Sequence, residues 1–227
     1  MNDDYLVFLI VGGVVAFILA LGLLGWWQER KRREAFRAIA EHLGLQFSHH
    51  RDAALMQRLG FLNRLARGSN RYAYNVLQGV YQGNPVLCFD YHYETYSRGS
   101  KGQRQTHHHY GSVYMVKHPA NFPEVEIYPR NFIHRIGQVL GFQDIQFESV
   151  EFSKAFVVKA RDRRFAYDVC HPRMMEFLLQ YRDFNLEIEA HCIAICYDRR
   201  QSPDEVQPHL DALIGIRELM PDYLYVE

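Results

Sequence analysis

The sequence predicts an α+β fold: an N-terminal transmembrane helix that continues into an amphipathic stalk, then a mainly antiparallel sheet of hairpins with several packed helices. Three observations carry this expectation. The stretch from Tyr5 to Trp27 holds no charged residue. Several later segments alternate apolar and polar residues on either side of glycine-containing turns, and shorter runs between them place apolar residues three and four positions apart. Hairpins and helices that do not alternate strictly favour antiparallel pairing over βαβ units. Three parts follow: residues 1–27 as N-terminal tail and transmembrane helix, 28–70 as juxtamembrane helical stalk and linker, and 71–227 as a cytoplasmic α+β domain.

A helix from Tyr5 to Trp27 rises about 34 Å, enough to cross a hydrocarbon core of about 30 Å. A soluble core helix is seldom apolar on every face over that length. A cleaved signal peptide would begin basic and end on small residues, whereas Asn2, Asp3 and Asp4 lead this segment and Trp26 and Trp27 close it. The span is therefore expected to stay in the mature protein. Arg30, Lys31, Arg32 and Arg33 follow at once. With Trp26 and Trp27 they form the expected membrane-interface belt. The positive-inside rule then sets the N-terminus outside and the rest in the cytoplasm, as a single-pass protein of the inner (plasma) membrane. Gly12, Ala16 and Ala20 recur at every fourth position, a small-residue stripe suited to self-association of the span.

Beyond the span, Phe36, Ile39, Ala40 and Leu43 follow helical spacing up to Gly44, and a short helix is expected from Ala53 to Leu59. Tyr72 to Tyr81 and Val86 to Tyr96 read as strands joined at Gln82-Gly83-Asn84-Pro85. In the second, Leu87, Phe89, Tyr91 and Tyr93 form a core face against a polar face of Cys88, Asp90, His92 and Glu94. A loop over Ser97 to Gly102 leads to a strand from Gln105 to Lys117, and Val125 to Tyr128 reads as a separate short strand. Asn131 to Leu140 has helical spacing. Phe152 to Ala160 and Phe165 to Cys170 read as a hairpin about a charged turn, Arg161 to Arg164. His171-Pro172 opens a helix to about Tyr181. Leu186 to Cys196 alternates as a strand with Leu186, Ile188, Ala190, Cys192, Ala194 and Cys196 on one side, and Ser202 to Glu205 is a capping box for a last helix that stops before Pro221.

The stretch Glu148 to Leu179, with E-S-V-E-F-S-K-A-F-V-V-K-A-R-D-R-R-F-A-Y-D-V and then H-P-R-M-M-E-F-L-L, resembles the carboxyl part of a family of bacterial single-pass membrane proteins of unknown function. The resemblance implies the same topology over most of the chain. It implies no activity.

Basic and acidic residues number 26 each. With Asp3 and Asp4 outside, 26 basic residues face 24 acidic ones from Gln28 onward, a net +2. That is too neutral for a nucleic-acid partner. Cys88, Cys170, Cys192 and Cys196 are scattered, as expected of reduced thiols. Cys192 and Cys196 lie about 13 Å apart on one strand, beyond disulfide reach. Cys170 and His171, beside Asp168, would point to opposite faces of a strand and so make no catalytic dyad. The glycines match no phosphate-binding loop.

The histidines are the most unusual feature. If Phe89 faces Tyr110 across the hairpin, His92 falls opposite His107 and Asp90 opposite His109 on the polar face. Asp90, His92, His107 and His109 then gather around a divalent ion such as zinc; otherwise they form a solvated hairpin face. No other cofactor is expected. The favoured reading is a membrane-anchored cytoplasmic binding or assembly module without catalytic activity, acting on a protein partner or on itself. A metal-binding protein or metal-dependent enzyme built on the His-rich hairpin is one alternative. A lipid-binding or envelope structural protein, with an apolar groove beside the juxtamembrane helix, is another. The sequence points to no small-molecule ligand.

Overall fold

The computed structural model describes residues 3–99, 102–131, 145–181 and 184–225. Helix α1, Asp3–Leu43, runs without interruption from the apolar stretch into the expected stalk. Its stop is built as the sequence implies. Gly44 adopts φ 68°, and the Gly44 and Leu45 amides donate back to the Glu41 and Ala40 carbonyls at 3.3 and 2.8 Å, a Schellman closure. From Ile10 to Trp27 the helix is exposed on every side, with a mean hydropathy of 2.2 in its most apolar window. Among the described residues it is the one helix long and apolar enough to cross a membrane. The second half is amphipathic in fact as well as in pattern, since Phe36 and Ala40 are buried against the sheet.

Six antiparallel strands follow: β1 (Gln46–Ser48), β2 (Ser69–Tyr81), β3 (Asn84–Arg98), β4 (Arg104–Pro129), β5 (Phe156–Ala160) and β6 (Asn185–Tyr197). The fold is α+β. The long β4 is the organising strand. One of its edges pairs with β3 through Val116 and earlier residues and with β5 from Val125 onward, while the other edge pairs with β6. The separately expected strand at Val125 to Tyr128 is thus the end of β4. The turn between β2 and β3 is two residues, Gln82 (φ 47°) and Gly83 (φ 75°), the doubly left-handed geometry that matches strand twist.

Helices cover both faces. Helix α2 (Ala53–Arg58) and the chain to Leu65 pack Leu55, Met56, Leu59, Leu62 and Leu65 on Leu87, Phe89, Tyr91, Val113 and Met115. The opposite face is covered by the stalk of α1 and by α3 (Val150–Ala155), α4 (Arg163–Val169), α5 (Pro172–Leu179) and α6 (Val206–Leu219). Because both faces are covered, the polar face expected on β3 is an interior one, where Cys88, Asp90 and His92 are all buried.

Three local expectations are corrected. Val150–Ala155 and Arg163–Val169 are helices; of the expected hairpin only Phe156–Ala160 is a strand, and it pairs with β4 rather than with a second arm. Ser149 Oγ accepts from the Phe152 amide at 3.2 Å, and Asp162 Oδ1 from the Arg164 amide at 2.8 Å. Two N-caps therefore start helices where β-branched and aromatic residues suggest strand. Ser202 makes no capping bond and precedes a 3-10 turn, Pro203–Glu205, before α6 begins. The alternation along β6 reverses at Ala190, whose φ of 51° marks a bulge. Leu186 and Ile188 therefore face the core under α4 to α6, whereas Cys192, Ala194 and Cys196 face the core under α2. The helix opened by His171-Pro172 is present, with His171 as N-cap. The helix expected from Asn131 to Leu140 lies, beyond Asn131, outside the described residues.

Candidate functional site

The register of β3 on β4 decides which polar side chains meet. Asp90 pairs with Ser112, His92 with Tyr110, Tyr93 with His109, Glu94 with His108 and Thr95 with His107. This is three residues away from the pairing expected from Phe89 facing Tyr110, since Phe89 lies opposite Val113. An odd slip exchanges the two faces of one strand relative to the other. His107 and His109 consequently lie on the face away from Asp90 and His92. His109 stacks on Tyr93 at 4.6 Å between ring centres and meets Thr95 Oγ1 at 2.8 Å, and His107 Nε2 lies 2.7 Å from Ser97 Oγ. The four expected ligands do not converge.

What converges on the His92 face is His92, Glu94 and His108, each offering one ligand atom within 4.8 Å of the others. His92 Nε2 is 3.0 Å from His108 Nδ1, which lies 3.6 Å from Glu94 Oε1. The first two residues are held from behind by Asn70. Its carbonyl oxygen is 3.2 Å from His92 Nδ1, and its side-chain amide donates to Glu94 Oε1 at 2.7 Å. Asn70 can serve both because it sits at a bulge in β2, between the Ser69–Glu94 and Tyr72–His92 pairs, with φ 48°. The Tyr72 and Tyr110 rings flank His92 at 4.7 and 4.9 Å. Burial lowers the His92 pKa, so its imidazole is neutral near pH 7. The Asn70 and Tyr96 hydrogen bonds lower that of Glu94.

Asp90 is occupied otherwise. Its Oδ1 accepts from Ser112 Oγ at 2.7 Å, and its Oδ2 from Asn75 Nδ2 at 3.0 Å, from Arg32 Nη2 at 2.9 Å and from Arg32 Nε at 3.2 Å. Arg32 also donates to the Gln201 carbonyl at 2.7 Å. Asn75 reaches Asp90 through a second bulge in β2, where its φ is 51°. Arg32 is therefore turned into the protein, unlike the rest of the basic run. Arg30 pairs with Glu34 at 3.0 Å, Lys31 lies over the Trp27 ring at 3.7 Å, and Arg33 is exposed. Trp26 and Trp27 are exposed, as are Gly12, Ala16 and Ala20 along one side of α1. A second ion pair, Arg200 with Glu29, ties α1 to the segment after β6. The sequence holds one signal for this clamp: Asp90 shares its parity with Val86 and Cys88, so a carboxylate at a core-facing position calls for a cation.

A carboxylate group also escaped sequence reasoning. Glu126 on β4 lies opposite Glu187 on β6, with Glu124 beside them. The Asn63 amide donates to Glu187, its side chain donates to Glu124 and Glu126, and Arg161 Nε meets Glu124 Oε2 at 2.6 Å. Burial first, and the Glu126 charge second, push Glu187 up to about 8, so it holds its proton at neutral pH. An apolar groove of about 350 Å³ opens beside α2, with Leu59, Phe61 and Met115 in its lining and Arg58, Lys117 and His191 about it. It lies on the α2 side of the sheet, away from the juxtamembrane helix.

No protein-family model and no curated protein matches the chain, so the resemblance carried by Glu148 to Leu179 rests on those residues alone. The chain is similar in fold to a solved structure, the crystal structure of the mycobacterial trehalose monomycolate transport factor A, TtfA. The TM-score is 0.60 over 84% of this chain and 95% of that chain, at 13% identity.

Proposed function

We propose that this protein is a single-pass, membrane-anchored module that presents its α+β domain at the cytoplasmic face and acts by binding a protein partner or a second copy of itself, without catalysis. The observation that carries this reading is the docking of α1. The helix leaves the apolar span without a break, and the partly buried Arg32–Asp90 pair locks it onto the centre of the sheet. A flexible linker would let a tethered domain search freely, whereas a clamped helix fixes which surface faces the bilayer. Fixing orientation serves assembly. The shared fold with a protein named as a transport factor agrees with an accessory role. The basic run after Trp27 supports the cytoplasmic placement.

Photo-crosslinking of the full chain in native membranes tests the proposal. A reproducible heteromeric or homomeric product supports it, and recovery of the monomer alone from every exposed surface position refutes it. A lipid-binding role gains nothing from the α2 groove, which does not adjoin α1.

A further inference from the structure

We infer that His92, Glu94 and His108 form a binding site for one first-row divalent cation, zinc in the first instance, on the β3–β4 hairpin. A tetrahedral zinc site holds its ligand atoms about 2.0–2.2 Å from the metal, which sets neighbouring ligand atoms roughly 3.3–3.5 Å apart. His92 Nε2 to His108 Nδ1 is 3.0 Å and His108 Nδ1 to Glu94 Oε1 is 3.6 Å, so these two separations bracket that requirement before any ion is bound, and all three ligand atoms lie within 4.8 Å of one another. Little rearrangement is needed.

The protonation pattern is also set. His92 Nδ1 faces the Asn70 carbonyl and must carry the hydrogen, which leaves the Nε2 lone pair pointing into the cluster. Without metal, His108 Nδ1–H donates to that lone pair. On binding, the His108 proton moves to its Nε2, and both imidazoles present lone pairs to the ion. His108 is half exposed, so this tautomer change requires no buried proton path. Asn70 plays the part that outer-shell residues play around zinc, orienting one histidine through its carbonyl and the carboxylate through its amide. Two nitrogens and one carboxylate oxygen suit zinc better than magnesium or calcium, which favour oxygen-rich shells. Three protein ligands leave a fourth position for water or for a donor from a binding partner.

The test is titration of the full chain, free of any affinity tag and held in detergent micelles, with Zn²⁺ alone. We expect one saturable equivalent per chain. His108→Asn and Glu94→Gln, both at partly exposed positions, should each weaken binding at least tenfold while leaving the unfolding temperature of the metal-free protein within a few degrees. The double variant His107→Asn/His109→Asn should bind as the parent does. X-ray absorption on the loaded protein should report a first shell of nitrogen and oxygen with two imidazoles. Absence of a saturable equivalent, full retention in His108→Asn, or loss in His107→Asn/His109→Asn would each overturn the assignment.

Discussion

Replacing Arg32 with methionine tests whether the anchor and the domain are one mechanical unit. Methionine keeps an unbranched apolar stem of similar length but removes the guanidinium, whose carbon lies 4.8 Å from the Phe36 ring centre, so the change removes the charge and its cation–π contact together. The Asp90 side chain is 1% exposed and that of Arg32 16%. Without Arg32, Asp90 keeps two neutral donors among the described residues, Ser112 and Asn75. Breaking a buried pair from one side costs about 3–5 kcal/mol. Because Arg32 retains some solvent and Asp90 retains two hydrogen bonds, a loss of about 3 kcal/mol is expected, or roughly 6–12 °C in unfolding temperature for a domain of this size. Asp90→Asn should cost less, about 1–2 kcal/mol, since the freed guanidinium still reaches the Gln201 carbonyl and water. The double variant should lose less than the sum, with a coupling of about 1–3 kcal/mol. All four cysteines are buried and free, so their reaction with a thiol reagent reports opening of the fold. Spin labels at the exposed positions Gln28→Cys and Arg199→Cys read orientation. The parent should give a narrow distance distribution, and Arg32→Met a broad one. If Arg32→Met matches the parent in both stability and distribution width, the clamp does not hold the domain.

Stability should peak near pH 6.5. Burial lowers His118 and His209 to about 4 from 6.5, so the unfolded chain takes up protons first and stability is lost as pH falls through that interval. Glu187 acts oppositely: its folded pKa of about 8 exceeds its ordinary 4.5, so stability present at low pH declines as pH rises toward 8. Urea unfolding across pH 4–9 should show both limbs, and Glu187→Gln should flatten only the upper one. An unchanged upper limb in that variant would reassign the effect. Gly111→Ala should cost about 1–3 kcal/mol, because a Cβ there meets the Tyr91 ring and the Tyr197 carbonyl; a thermal melt indistinguishable from the parent would show that these neighbours yield freely. In the span, Gly12→Ile should reduce disulfide-independent crosslinking between copies if the Gly12, Ala16, Ala20 stripe is a helix contact. Undiminished crosslinking would move self-association to another surface.

Local signals served well where the chain itself closes the geometry. Gln82-Gly83 makes a two-residue turn, Gly44 ends α1, and His171-Pro172 starts α5, each through contacts within a few residues. At Val150–Ala155 and Arg163–Val169 the caps are equally local, but Ser149 and Asp162 precede residues whose bulk and branching also suit a strand; between the two helices Phe156–Ala160 is a strand as expected. A competing propensity hid the cap.

The site was lost at a different level. Histidines on two adjacent strands draw attention to the hairpin, but which of them meet depends on a register that no residue of the hairpin states outright. Placing aromatic opposite aromatic supplied one register. The observed one instead puts Asp90 opposite Ser112, where the hydroxyl serves the carboxylate, and leaves Arg98 facing Arg104 at the loop. What selects it is the interior: Asp90 must sit where Arg32, Asn75 and Ser112 can all reach it, and a three-residue shift would set a different β4 residue beside a buried carboxylate. Asn75 depends on one bulge in β2, just as Asn70, behind His92 and Glu94, depends on another. The anchor's clamp and the candidate metal ligands are therefore positioned by the same strand pairing. Loosening Arg32 should thus be felt at His92, two residues along β3 from Asp90, before it is felt at His107 or His109 on the other face.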